Sequence, residues 1–200
     1  MIKNCTAIIL AGGLSTRMGR DKANVLLGEQ TLLQHVITAM QKSFSHIILS
    51  VREPRPDLKL PQVCDAPDVS GPLAGVLAGL EQSQTPWIFL VACDMPFMQA
   101  TVIESLSLRR DQHQAVVPII NGHAQPMAAF YARSILPVLR AHLAGGGKNS
   151  LRALFEHLDI CYVDETELAK IDPTLNSFFD LDTPRDLANA MNRQIPHESR

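Results

Sequence analysis

The sequence has no C-x-x-C pair, no H-E-x-x-H run and no block of like charge. Its four cysteines, Cys5, Cys64, Cys93 and Cys161, stand far apart, and its seven histidines are scattered. That spacing excludes a disulfide frame and a zinc site, and it reads as buried, reduced thiols. Eighteen Lys and Arg face twenty Asp and Glu for a formal net charge of −2, and only the Arg109-Arg110 pair breaks the even mixing. Electrostatic capture of nucleic acid or of an anionic membrane surface is thereby excluded. The first apolar run, Ala7 to Ala11, is too short for a signal-peptide core and runs straight into glycines. No run approaches the roughly 18 apolar residues of a membrane helix. The expectation is a soluble, cytoplasmic protein.

What is present is a chain of 200 residues and 22.0 kDa, 46% hydrophobic and 19% charged. That suits one domain with a core large enough to need no staples. Residues 1–193 are expected to form it, with 194–200 as a flexible tail. Short apolar runs alternate with helical periodicity. Cys5–Leu10, His46–Val51 and Trp87–Ala92 read as strands, the last fully apolar and therefore central in a parallel sheet. Leu33, Val36, Ile37 and Met40 fall on one helical face, as do Leu73, Val76, Leu77 and Leu80 directly after Gly71-Pro72. Pro54, Pro56 and Pro61 mark a loop. Gln99–Arg109, Ile135–Leu143, Leu151–Leu158 and Thr183–Asn192 read as helices, and Ile160–Val163 as a strand. Ala115–Ile120 and Met127–Tyr131, separated by Asn121-Gly122-His123, suggest an antiparallel addition. The predicted architecture is α/β, a three-layer α/β/α sandwich with a mostly parallel mixed sheet.

In such sheets ligands bind at the carboxyl ends of strands, and three candidate loops occupy such ends. The segment from Ala11 to Lys22 leaves the first strand. Its adjacent Gly12 and Gly13 allow close approach of a phosphate or base, and Arg17 and Lys22 supply fixed positive charge. It lacks the Gly-Lys-Ser/Thr ending of a Walker A loop and the G-x-G-x-x-G spacing of a dinucleotide fold. The second loop presents Asp94 at the tip of the central strand, as a magnesium ligand beside phosphates or as an N-cap ahead of Pro96. The third, Phe179 to Pro184, places Asp180 and Asp182 on one face if extended. There a metal or second-substrate role stands beside capping of the last helix by Asp182 or Thr183. Gly145 to Ser150 follows a helix and reads as a linker. The sum is a nucleoside triphosphate site with one metal and no evident nucleophile or general base. Transfer to an already ionised phosphate needs positioning and charge neutralisation rather than acid–base groups.

Four strings in order, LAGGLSTRMGRDKA from Leu10 to Ala23, GPLAG at Gly71–Gly75, ACDMPF at Ala92–Phe97 and DLDTPRDL at Asp180–Leu187, resemble the molybdenum cofactor guanylyltransferases over roughly Ala7 to Met191. The resemblance implies a Rossmann-like nucleotidyltransferase that joins GMP from GTP to molybdopterin and releases pyrophosphate, with Mg2+ as cofactor. It implies that Leu10, Ala11, Gly12 and Gly13 hold guanine and ribose, and that Arg17 and Lys22 hold the triphosphate. Asp65 matches a nucleotide-contacting carboxylate, and Asp94 matches the magnesium ligand. Gln125-Pro126-Met127 falls on the pterin side, and Asp180 and Asp182 fall on the metal or pterin side. Implied partners are GTP, molybdopterin and, transiently, cofactor-synthesis or acceptor proteins, with neither nucleic acid nor membrane. Arg52 stands where the family frequently has Asn, and Asp180-Leu181-Asp182 where many members read Asn-x-Asn. The alternatives are CTP use on molybdopterin, an NTP used on a sugar or alditol phosphate, and a nucleotide-binding module without turnover.

Overall fold

The computed structural model describes residues 1–12, 21–64, 71–145 and 150–192. In chain order the strands and helices are β1 (Cys5–Leu10), β2 (Leu26–Leu27), β3 (Gln30–Thr31), α1 (Leu32–Ser43), β4 (His46–Val51), β5 (Gln62–Cys64), α2 (Pro72–Gln82) and β6 (Trp87–Ala92). They continue as α3 (Ala100–Ser107), β7 (Ala115–Ile120), β8 (His123–Ala124), β9 (Ala128–Ala132), α4 (Leu136–Ala144), α5 (Leu151–Leu154), β10 (Ile160–Asp164), α6 (Glu165–Leu168) and α7 (Pro184–Asn192).

The main sheet has the order β10-β7-β9-β6-β1-β4-β5, with β8 paired to β7. β1 is parallel to both β4 and β6, β4 to β5, and β7 to β10. β9 runs antiparallel to β6 and β7, and β8 antiparallel to β7. The chain moves from β1 outward to β4 and β5, then returns across β1 to β6. That reversal puts a topological switch point between the carboxyl ends of β1 and β6, where doubly wound sheets bind ligands.

Strand alternation makes the three layers. Ala7 and Ile9 of β1 and Phe89 and Val91 of β6 point into one core, with Leu33, Val36 and Met40 of α1 and Val102 and Leu106 of α3. Ile8, Ile88 and Leu90 point the other way, among Leu73, Val76 and Leu80 of α2 and Leu139 of α4. Because both faces are buried, β1 and β6 read as continuous apolar runs rather than alternating ones. Phe89 and Phe130, with ring centroids 4.8 Å apart, fill the first core beside Phe44. Thr31 and Gln34 close a capping box that starts α1. A third, smaller cluster of Leu27, Leu32, Phe97, Leu181 and Ala190 ties α7 to the region of Asp94.

Several expectations need correction. Cys64 is exposed and Cys161 only half buried, because each ends or lies in an edge strand; Cys5 and Cys93 are buried as expected. The addition at 115–131 is not a simple hairpin of two strands. Asn121, at φ 50, and Gly122, at φ 73, turn β7 back into the two-residue β8. β9 then inserts between β6 and β7, so β6 has one parallel and one antiparallel neighbour. The helix expected over Leu151–Leu158 is α only to Leu154 and continues as a 3-10 turn, Phe155–His157. β5 went unread because it spans three residues next to Pro61. The expected tail, 194–200, and most of the Gly145–Ser150 linker lie outside the described residues. Among described helices none is long and apolar enough to cross a membrane.

Gly79 sets the seat of α2 on β1. A Cβ there would lie 2.4 Å from Cδ1 and 2.9 Å from Cγ2 of Ile8, a fully buried and β-branched side chain. Alanine gains helix propensity of about 1 kcal/mol, while overpacking costs about 1–3 kcal/mol. Gly79→Ala is therefore expected to lower the stability read by urea unfolding. Ile8→Val in the same chain removes the nearest atom, so the double variant should lose less than the sum of the singles; strict additivity would mean that α2 moves freely.

Candidate functional site

The carboxyl ends of β1, β4 and β6 are stitched together beyond their last ladder bonds. Ala11 N–H donates to the Ser50 carbonyl at 2.8 Å, and Cys93 N–H to the Leu10 carbonyl at 3.1 Å. Ala11 and Gly12 thus lie level with Arg52 on one side and with Asp94 on the other. A Cβ on Gly12 would sit 3.1 Å from the Arg52 nitrogen and 3.4 Å from the Val51 carbonyl carbon. Any larger residue would crowd its own chain's backbone there. A cavity of about 290 Å³ opens beside it, lined by Ala11, Gly12, Asp21, Arg52, Glu53 and Arg55 among others.

Asp94 follows β6 and does not cap a helix. It accepts a hydrogen bond from Lys22 Nζ at 2.7 Å, and both side chains are only 16% exposed. The same ammonium donates to Asp182, which remains 42% exposed. Lys22 and Asp182 are 160 residues apart. Two local features bring them together. Leu181 N–H donates to the Asp94 carbonyl at 3.0 Å, and the buried Leu181 side chain anchors that extended segment before α7. The role of helix cap falls instead to Thr183. Asp186 N–H donates to Thr183 Oγ1 at 3.2 Å, while Thr183 N–H and Oγ1–H donate to Asp186 at 2.8 and 2.7 Å. Those bonds hold the Asp186 carboxyl below its usual range, and Asp182 is left facing Lys22.

The electrostatics follow from the convergence. Burial works against the Lys22 charge, but the hydrogen bonds and charges of Asp182 and Asp94 outweigh it, so its amine is held above the ordinary lysine value of 10.5. Asp180 is raised above its usual carboxylate range, first by burial and then by the charges of Asp182 and Asp94, with Lys22 opposing. Three carboxylates therefore share one field, with a single lysine bridging two of them. Burial pushes the Cys93 thiol up to about 12, helped by Asp94, so it is no nucleophile.

Of the expected residues, Leu10, Ala11, Gly12, Lys22, Asp94, Asp180 and Asp182 all gather at this end of the sheet. Gly13, Arg17 and Asp65 lie outside the described residues. Ala92 N–H donates to the Met127 carbonyl at 3.3 Å, which brings the Gln125-Pro126-Met127 segment to the same end. Arg55 was missed: it contacts the Lys22 segment through Asp21 and Asn24. Its only sequence signal is a position between Pro54 and Pro56.

Three comparisons bear on this geometry. The family of MobA-like NTP transferase domains matches residues 7–161. A probable molybdenum cofactor guanylyltransferase of Methanosarcina mazei is 29% identical over 92% of this chain and 88% of its own. A molybdenum cofactor guanylyltransferase of Serratia proteamaculans is 36% identical over 73% of this chain and 77% of its own. The crystal structure of molybdopterin-guanine dinucleotide biosynthesis protein A from Archaeoglobus fulgidus superposes with a TM-score of 0.84 at 26% identity, covering 94% of this chain and 97% of the other.

Removing the Lys22 ammonium leaves Asp94, Asp180 and Asp182 mutually repelling. Lys22→Met is expected to cost about 1–2 kcal/mol, less than a fully buried broken pair because Asp182 stays open to water. Since the folded-state lysine is raised, its contribution is fully present below pH 10.5 and is lost as pH rises through the higher folded value. Denaturant midpoints of the two proteins should therefore converge as pH rises beyond 10.5, and a gap that never narrows in strong alkali would contradict the pairing.

Proposed function

The chain belongs to the family of MobA-like NTP transferase domains, and on that premise we propose that it transfers GMP from GTP to the phosphate of molybdopterin. The observation that carries this reading is the Lys22–Asp94–Asp182 cluster at the switch point between β1 and β6. A terminal phosphate oxygen of molybdopterin forms a new bond to the α-phosphorus of GTP. The bond from that phosphorus to the bridging oxygen breaks, and pyrophosphate leaves with its electron pair. The attacking oxygen is already ionised, so no side chain has to remove a proton.

The donor set suits a divalent cation, expected to be Mg2+. Magnesium takes one or two carboxylates beside phosphate oxygens and keeps several waters. Among the described residues no group of three His, Cys, Asp or Glu is already in a ligating array, but Asp94 and Asp182 together meet that smaller requirement. Held by Asp94, with Asp182 beside it, the ion would supply charge neutralisation at the α-phosphate and the leaving pyrophosphate. Lys22, beside both carboxylates, would serve the same oxygens as a compact point charge. We assign Arg17 to the triphosphate with it, Leu10, Ala11, Gly12, Gly13 and Asp65 to the nucleoside, and Asp180 to the metal or pterin side. The wide spacing of the four cysteines supports the assignment to a reducing, cytoplasmic compartment.

GTP, Mg2+ and molybdopterin mixed with the chain should release pyrophosphate. Asp94→Ala should lower that rate by about 10²–10⁴, the scale of a lost preorganised charge, with its unfolding midpoint near that of the unaltered chain. Near-normal turnover would refute the role. Release with a sugar phosphate but with no pterin would put the chain among the other nucleotidyltransferases.

The base is the second test. Without side chains, Gly12 and Gly13 are expected to admit a purine edge to backbone groups, and we expect GTP to be preferred over CTP by at least about tenfold, 1.4 kcal/mol. Asp180 and Asp182 stand where many guanylyltransferases have Asn. Comparable kcat/KM for the two nucleotides would favour the cytidylyl reading, and a ratio that moves in Asp182→Asn would place those aspartates in base choice.

A further inference from the structure

We propose that Arg55 is a positioning residue for Lys22, a clamp that ties the β4–β5 edge of the sheet to the segment that carries the phosphate-binding lysine. The inference rests on the nucleotidyltransferase reading of the Lys22 site and adds a residue that the family motifs do not contain.

Two sets of bonds meet at Arg55. On the sheet side, the amide of Gln62, the first residue of β5, grips its backbone at both ends. Arg55 N–H donates to Gln62 Oε1 at 2.8 Å, and Gln62 Nε2 donates to the Arg55 carbonyl at 2.7 Å and to the Leu58 carbonyl at 3.1 Å. β5 is itself registered on β4, Leu49 opposite Gln62, so the Arg55 backbone is referenced to the strand that flanks β1. Pro54 and Pro56 restrict the chain on either side of it.

On the site side, the guanidinium spans two residues. Arg55 Nη1 donates to Asn24 Oδ1 at 2.9 Å, and Nη2 donates to the Asp21 carboxylate. Asp21 uses its other oxygen to accept from Ala23 N–H at 3.0 Å, which caps the 3-10 turn Lys22–Asn24. Asn24 closes the triangle by donating Nδ2–H to Asp21 at 3.3 Å. Arg55 is only 17% exposed, and its planar fork fixes the two acceptors in one plane, an orientation that a rotatable ammonium does not impose. With the turn pinned from outside by Arg55 and from inside by the fully buried Ala23, Lys22 is directed at Asp94 and Asp182. Asp21 and Arg55 also form part of the wall of the cavity beside Gly12, so the clamp sets the distance between that cavity and the lysine.

A double-mutant cycle tests this. Arg55→Ala should weaken GTP binding and pyrophosphate-releasing kcat/KM by at least tenfold in the unaltered background and by less than twofold when Lys22 is already Ala, because the clamp acts through that lysine. Arg55→Lys should recover only part of the loss. Arg140→Ala, which breaks an exposed ion pair with Glu81, should change neither quantity. Equal losses in both backgrounds, or full activity in Arg55→Ala, overturn the proposal. A readout free of any ligand separates it from the nucleotide assignment. The Lys22 side-chain ammonium resonance, held between two carboxylates, should shift or broaden in Arg55→Ala and persist in Arg140→Ala. If the chain binds no triphosphate, the proposed function fails while that resonance still decides the clamp, and an unmoved resonance rejects it.

Discussion

One ammonium group between two carboxylates organises the functional end of this protein. Lys22 leaves β1's following segment, Asp94 leaves β6, and Asp182 precedes α7, so the pairings join three regions that are remote in the chain. A carboxylate cluster at the edge of an apolar sheet is costly without compensation, because partial burial strengthens repulsion as well as attraction. Asp180 feels that cost: its carboxyl is raised first by burial and then by the charges of Asp182 and Asp94, with Lys22 opposing. Under the proposed function, such a site suits a divalent cation that joins the lysine between these carboxylates and the phosphate oxygens. It needs a movable cation and fixed oxygen donors, and it needs no nucleophilic side chain.

The fold exists to hold those donors at fixed spacing. Burial of both faces of β1 and β6 leaves the two strands no latitude, since their alternate residues are committed to opposite cores. The reversal of strand order then opens a crevice where no further strand can fill the space. Gly12 shows how tight the construction is: a side chain would meet the backbone after β4 before it met any ligand. Its lack of a side chain would admit a base, and the structure adds an intramolecular demand at the same atom. The third cluster, through Leu181 and Phe97, does for Asp182 what the sheet does for Asp94.

The chain announces what is encoded by periodicity and by local chemistry. Apolar runs at β1, β4 and β6, the helical faces of α1 and α2, the proline that opens α2 and the last helix are local patterns, and each was legible from spacing alone. So was the identity of the acidic and basic residues at strand ends. Elements of two or three residues were not, because β5 and β8 have too little length to show a period; they are strands only because a neighbouring ladder pairs with them. The insertion of β9 between β6 and β7 was hidden for the same reason: strand order is a property of pairing between distant segments.

The sequence by itself determined the α/β alternation and the strand-end placement of Asp94, since these depend on side-chain type at short spacing. Only the tertiary structure decided which residue caps the last helix. Thr183 and Asp186 satisfy the cap locally, which frees Asp182 to meet a lysine 160 positions away. Arg55 is the same lesson from the other side. Nothing local distinguishes it from a solvated arginine in a proline-rich loop; its partners Asp21 and Asn24 lie 34 and 31 residues off. Long-range hydrogen bonds are set by the packing of strands and helices that carry their donors and acceptors, and that packing has no signature in the residues that make the bond.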